Sequence, residues 1–285
     1  MPTATTQSSF PPSVSATLQY FSPPPDGARP YTNINQVEGI PNTNWIPEKH
    51  VVEIENIRGK ESSVSLDTAG FQFYSNQPAK HKTFANDEEI KEEYYPESIE
   101  LIKKMTGASK VVLFDHTIRR RRPGQVDSDP SKRQPVPRVH VDQTGESARA
   151  RVHRHLPEAE AGELLKHRFQ IINLWRPISH PAFDWPLTLC DYRSIDPKKD
   201  LTPVALIYPD REGETMGVRY NTEHKWKYLK GMTPDEFVLI KCYDSKEDGS
   251  VSILTPHTAF EDPSTPPDAS PRESIELRAL VFYDE

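Results

Sequence analysis

Cysteine is nearly missing from this chain: Cys190 and Cys242 are the only two in 285 residues. Two separated cysteines build neither a disulfide scaffold nor a CxxC-type ligand set for zinc or copper, so both are read as packing residues in a reducing compartment. Long apolar runs are missing too. No segment approaches the ~20 residues of a membrane span, and residues 1–10 lack the basic start and apolar core of a signal peptide. A soluble, cytoplasmic protein with no membrane partner is expected. A basic surplus is also absent: the net charge is -7, which argues against nucleic acid as a partner because binding phosphates needs a concentrated positive surface. The one basic run, Arg119-Arg120-Arg121-Arg122, reads either as a solvated loop after a strand or as a contact for an anionic group. No GxGxxG or Walker loop, no strand–helix alternation and no internal repeat occurs, which disfavours a doubly wound nucleotide-binding fold.

Proline, by contrast, is abundant at 28 residues. Pro11-Pro12 and Pro23-Pro24-Pro25 make residues 1–45 an extended arm that resists helix and central strand, leaving 46–285 as a single domain. Alternating apolar residues predict strands at 51–57, 70–74, 111–114, 169–175, 187–191, 202–208, 215–220, 237–243 and 274–283. Helical patterns cover 87–104, where Pro96 predicts two short helices, and 146–156 with 159–167 around Pro157. The expected class is mainly β with flanking helices, and the strand count suits a jelly roll.

The chemistry starts at His140-Val141-Asp142. On a strand, residues two apart point to one side, so this histidine and this carboxylate share a face. With ten histidines and 42 acids in the chain, such a triplet recurs by chance, and its surroundings discriminate. Val136 to Asp142 alternates apolar residues with the candidate ligands. His257 follows the short apolar run Ser252-Ile253-Leu254-Thr255-Pro256, and Arg272-Glu273-Ser274 comes fifteen residues after it. Two histidines and one carboxylate on one face of an octahedron leave three positions open, the ligand set of non-haem Fe(II) oxygenases. An arginine suits the far carboxylate of 2-oxoglutarate by a two-pronged contact, with Ser274 adding a hydroxyl. Arg278 shares the parity of Arg272 and is the rival anchor; Arg272 is preferred because Ser274 accompanies it.

These segments carry a family resemblance. Leu113-Phe114-Asp115-His116-Thr117, His140-Val141-Asp142-Gln143-Thr144, Asn173-Leu174-Trp175-Arg176-Pro177, Pro186-Leu187-Thr188-Leu189-Cys190-Asp191, Trp226-Lys227-Tyr228, Pro256-His257-Thr258-Ala259-Phe260 and Arg272 to Arg278 resemble the fungal hydroxylase/desaturase family related to gibberellin desaturase and the cephamycin methoxylation component. The resemblance spans roughly residues 50 to 285. It implies a double-stranded β-helix enzyme of secondary metabolism, using Fe(II), 2-oxoglutarate and O2 to hydroxylate, desaturate or cyclise a small molecule.

Further candidates follow from strand positions. Thr144, two residues after Asp142, reads as a cosubstrate contact if the strand continues. Asn173, Arg176, Trp226, Tyr228 and His116 are candidate substrate residues; for Arg176, His116 and the two aromatics, core or strand-end roles compete. His180 and His224, beside turn residues, are expected to face water. Two other classes stay open: an iron oxygenase that needs no cosubstrate, and a non-catalytic partner subunit. Homodimerisation or association with a partner enzyme is likewise open.

Overall fold

The computed structural model of the protein describes residues 10–35, 38–125 and 132–284, so the first nine residues of the expected arm lie outside the described part. Within the proline-rich N-terminal stretch, residues free of proline form β1 (Ser13–Ser22), with Val14, Ala16, Leu18 and Tyr20 buried on one side. β2 (Tyr31–Asn33), β3 (Ile46–Asn56) and β4 (Phe71–Tyr74) follow. The next stretch departs from expectation. α1 (Asp87–Glu89), a π turn over Ile90–Tyr94 and α2 (Tyr95–Thr106) run on without a break at Pro96. Proline has no N–H for a carbonyl one turn back. It sits here in the first turn of α2, where the widened π turn, closed by Tyr95 N–H on Ile90 O, delivers the chain into it. Gly107, at φ 74°, ends α2 in a left-handed cap.

β5 (Lys110–Arg120) comes next, so the basic run begins inside a strand rather than in a loop beyond one. Then come β6 (His140–Val141), α3 (Gly145–His155), α4 (Glu158–Leu164), β7 (Phe169–Pro177), β8 (Leu187–Cys190) and α5 (Pro197–Asp200). β9 (Leu201–Ile207), β10 (Glu212–Val218), β11 (Trp226–Tyr228), β12 (Phe237–Asp244), β13 (His257–Ala259) and β14 (Glu273–Phe282) complete the order.

The strands form two sheets. A five-stranded sheet runs β4-β12-β7-β14-β5, and a nine-stranded sheet runs β1-β3-β11-β8-β13-β6-β10-β9-β2. Side-chain alternation divides the interior. Trp175, Val238, Ile240 and Leu280 of the smaller sheet share one core with Leu189 of the larger. Their sequence neighbours Leu174, Leu239 and Val281 face the other way, into a second core with Ile102 of α2 and Tyr94. Each fully buried Leu, Ile or Val in these layers contributes roughly 1.5–3 kcal/mol. β1 and β2, both from the proline-rich stretch, occupy the two edges, where neighbouring prolines are tolerated. β1 pairs with β3 from Ser13↔Glu55 to Ser22↔Ile46.

The larger sheet curls. Gln19 of β1 bridges Arg138, just ahead of β6, although β3, β11, β8 and β13 lie between them in the sheet. The curl also presses Phe21 against β10: a Cβ on Gly217 would stand 2.5 Å from its ring, so only glycine fits opposite His140. Inside the curl lies a third core containing Leu18, Ile54, Val141, Cys190, Trp226 and Tyr228.

Candidate metal centre

β6 and β13 are neighbours, and their register sets His140 directly opposite His257. Asp142 follows one residue past the end of β6 and returns to the side of His140, as strand parity requires. The potential ligand atoms of the three side chains all lie within 4.8 Å of one another. Asp142 Oδ1 is 3.2 Å from His140 Nε2 and 3.8 Å from His257 Nε2. Each imidazole is turned by its own backbone. His140 Nδ1 donates to Arg138 O at 2.8 Å and His257 Nδ1 to Thr255 O at 3.0 Å. A carbonyl only accepts, so the proton sits on Nδ1 and the Nε2 lone pair of each ring points to the centre.

The segment ahead of β13 has no regular structure and is held by side chains instead. Lys241 Nζ donates to Ser252 O at 2.9 Å, Ser252 Oγ to Leu66 O at 2.5 Å, and Thr255 Oγ1 to Gly70 O at 2.6 Å. Lys241 is itself fully buried against Asp244, at 2.7 Å. The orientation of His257 thus traces back to the smaller sheet.

Asp142 turns its second oxygen to that sheet. Oδ2 accepts from Asn173 Nδ2 at 2.8 Å and from Arg278 Nε at 3.4 Å. Burial alone raises this carboxyl. Its neighbours His140, Arg278 and His257 outweigh that and hold Asp142 well below the usual carboxylate range. His257 moves down as well, from burial first and then the neighbouring His140. The trio is therefore an ionised carboxylate and a pair of imidazoles with inward lone pairs, which fits Fe(II) as the 2-His-1-carboxylate donor set.

The same centre opens on a pocket with about 370 Å³ of empty space, walled by Trp175, Leu187, Thr258, Arg119, Arg272 and Glu276. Arg272 is 2% exposed. Its Nη1 donates to Trp185 O at 2.6 Å, a carbonyl presented by a backbone at φ 45°. Its guanidinium lies 5.6 Å from the Trp175 ring centre, and its Nε has no partner among the described residues. Burial and then Arg119 push it down to about 9, with Asp184 and Glu276 offsetting only part. A buried cation with a donor left over is a place for an anion.

Arg278 is placed differently. Its guanidinium donates to Glu276 Oε1 at 2.5 Å, to Thr117 Oγ1 at 2.9 Å and to Asp115 Oδ2 at 3.2 Å, besides Asp142. Burial opposes its charge, but Glu276, Asp142 and Asp115 prevail and hold it above its ordinary value. Ser274 is buried on the strand face of Arg272, cross-strand from Arg119 of β5.

Several candidates lie elsewhere. The strand does not continue to Thr144: the chain turns into α3, and Thr144 Oγ1 accepts from Ser147 N–H at 3.2 Å in a reciprocal capping box. Arg176 neighbours Trp175 in sequence and so faces the opposite side of β7, where Nη1 donates to Gln77 O at 2.7 Å and Pro234 O at 3.0 Å. His116 is cross-strand to Leu277, also on that outer face, with Nδ1 2.8 Å from Tyr95 Oη. Trp226 and Tyr228 sit opposite Cys190 and Thr188, whereas His257 sits opposite Leu189. They face the third core, and Trp226 Nε1 donates to Tyr20 Oη at 2.7 Å. Asn173 holds the Asp142 carboxylate instead of lining the pocket. His224 does not face water; it is buried with Nε2 3.0 Å from Asp200 Oδ2.

The basic run divides. Arg119 walls the pocket, in line with the anionic-group reading, while Arg121 pairs with Asp184 at 2.8 Å. Glu276 was not singled out from the sequence. It follows Ser274 by two residues and shares the even parity of Arg272 and Arg278, which was the available signal for it.

Comparison with known proteins places this geometry. A family model described as an oxidoreductase/YMDC permease-like domain matches residues 18–282. The hydroxylase/desaturase efuI of Hormonema carpetanum is 36% identical over 297 residues, covering 96% of each chain. The Fe(II)/2-oxoglutarate-dependent dioxygenase nvfI of Aspergillus novofumigatus is 34% identical over 247 residues, 85% of each. A solved structure of the iron and alpha-ketoglutarate-dependent endoperoxidase NvfI superposes with a TM-score of 0.86 over 97% of this chain and 100% of that one, at 29% identity. The likeness carries the jelly-roll core. The relation to gibberellin desaturase and the cephamycin component rests on the sequence motifs alone.

Proposed function

The chain belongs to the oxidoreductase/YMDC permease-like family and to the fungal hydroxylase/desaturases, and from that premise we propose that it is a non-haem Fe(II)- and 2-oxoglutarate-dependent dioxygenase acting on a small molecule of secondary metabolism. One observation carries the reading: His140 Nε2, His257 Nε2 and Asp142 Oδ1 converge beside a pocket whose Arg272 keeps a donor without a partner among the described residues. His140, Asp142 and His257 hold the metal. When bound, Fe(II) with 2-oxoglutarate and O2 supplies an oxidant strong enough for a C–H bond, the keto acid leaving as succinate and carbon dioxide.

The protein's own residues do the rest. Asn173 and Arg278 hold Asp142 Oδ2, which leaves Oδ1 for the metal. Arg272 binds the far carboxylate of 2-oxoglutarate, with Trp175 beneath the guanidinium and Ser274 on the same strand face. Leu187 and Trp175 keep water from the pocket wall. Hydroxylation, desaturation and ring closure share this arrangement and differ in how the substrate is aimed. Among the described residues no helix is long and apolar enough to cross a membrane, and we place the enzyme in the cytoplasm, with a small molecule rather than nucleic acid as its partner.

Anaerobic titration with Fe(II) and then 2-oxoglutarate tests the proposal. A weak visible charge-transfer band is expected in the unaltered protein and absent in His140→Ala. Bound iron without the band points to an oxygenase that needs no cosubstrate; no iron binding points to a non-catalytic subunit.

A further inference from the structure

Asp142 borders two cavities. Besides the arginine-walled pocket, it reaches a larger one, with about 680 Å³ of empty space, between α3 and the β9–β10 hairpin. One wall is a stripe of α3 carrying Ala150, Arg151 and Arg154, distinct from the face whose Ala148 and Val152 enter the core. The facing wall is the hairpin, with Leu206, Tyr208 and Arg211. β10 pairs with β6, so this hairpin stands directly beside the strand of His140.

The charges of the cleft sort by whether they are already paired. Arg29 reaches Glu212 at 2.7 Å and Glu214 at 3.3 Å, which closes that end. Arg211 lies 4.0 Å from the Tyr208 ring centre and 3.2 Å from Asp210. Arg151 and Arg154 have no ion pair among the described residues; Arg151 lies 5.3 Å from the Phe114 ring. Glu146, the remaining acid of the wall, is likewise without an ion pair among the described residues. Burial and then Arg154 push Arg151 below its ordinary value, and Tyr208 and Asp115 offset only part of this.

We propose that this cleft receives the oxidisable substrate, and that the substrate bears a carboxylate, held by Arg151 and Arg154, on a flat apolar body lying against Tyr208 and Leu206. The proposal rests on the iron and 2-oxoglutarate reading of Asp142. The two anions are then kept apart, the keto acid on the β14 side of Asp142 and the substrate carboxylate on the α3 side.

The test uses the full chain loaded with Mn(II) and saturating 2-oxoglutarate, and 2-naphthoate as the probe. Proton relaxation of the probe reads both its occupancy and its closeness to the metal. Saturable binding with metal-enhanced relaxation is expected, weakened roughly tenfold or more for neutral 2-naphthamide and for Arg151→Met, and kept in Arg151→Lys. Equal binding of the two probes, unchanged binding in Arg151→Met, or no saturable naphthoate binding overturns it. The Fe(II) charge-transfer titration separates the two readings. An intact band with Arg151-independent binding sinks the cleft assignment alone, whereas Arg151-dependent binding without the band sinks the iron reading and leaves an anion cleft.

Discussion

Arg272 and Arg278 stand six residues apart, one just ahead of β14 and one within it, with the same strand parity, yet they have opposite surroundings. Arg278 is met by Glu276, Asp115 and Asp142. Arg272 has a carbonyl, an aromatic face and a donor without a partner among the described residues. The cross-strand register makes the difference, since it sets Arg278 opposite Asp115 on one side and Asn173 on the other. A guanidinium enclosed by carboxylates braces the fold. One buried without them is available to a ligand.

Replacing each arginine in turn tests this contrast. Arg278→Leu leaves acids partly buried without a counter-charge and is expected to cost about 3–5 kcal/mol of stability, read in denaturant titration. A small change there would remove Arg278 from its bracing role. Arg272→Leu is expected to leave stability within about 1 kcal/mol. It should weaken 2-oxoglutarate by about 2–4 kcal/mol, roughly a hundredfold, measured from the charge-transfer band; unchanged affinity would move the anchor to another residue. Asn173→Ala sharpens the comparison by loosening Asp142 alone, with Fe(II) affinity falling about 10- to 100-fold in a competition titration. Thr144→Ala is the smallest effect, about 1 kcal/mol of stability from the lost cap, and 2-oxoglutarate affinity should not move.

Much of the centre was legible because parity is a local property. His140 and Asp142 two apart on extended chain share a side whatever surrounds them, and His257 at the head of a short strand supplied the third member of the trio. The same parity rule separates Asn173 and Trp175 from Arg176, and it selects Glu276 along with Arg272 and Arg278. Applied strictly, it would have removed Arg176 from the substrate candidates. It fails at Thr144, where the chain leaves the strand for a helix and the alternation stops. It is also silent on which face of a strand meets the pocket, which is why Trp226 and Tyr228, correctly placed on a strand, turn to a different core.

By itself the sequence determined most of the strands, the His140-Val141-Asp142 triplet and the residue types able to hold an iron and an anion, because alternation and side-chain chemistry act over a few residues. Only the tertiary structure decided which arginine has a donor to spare among the described residues, that Asn173 braces the Asp142 carboxylate, and that Asp142 borders two cavities. Those outcomes depend on register between strands far apart in sequence, where the identity of the neighbour, rather than of the residue, sets its electrostatic surroundings.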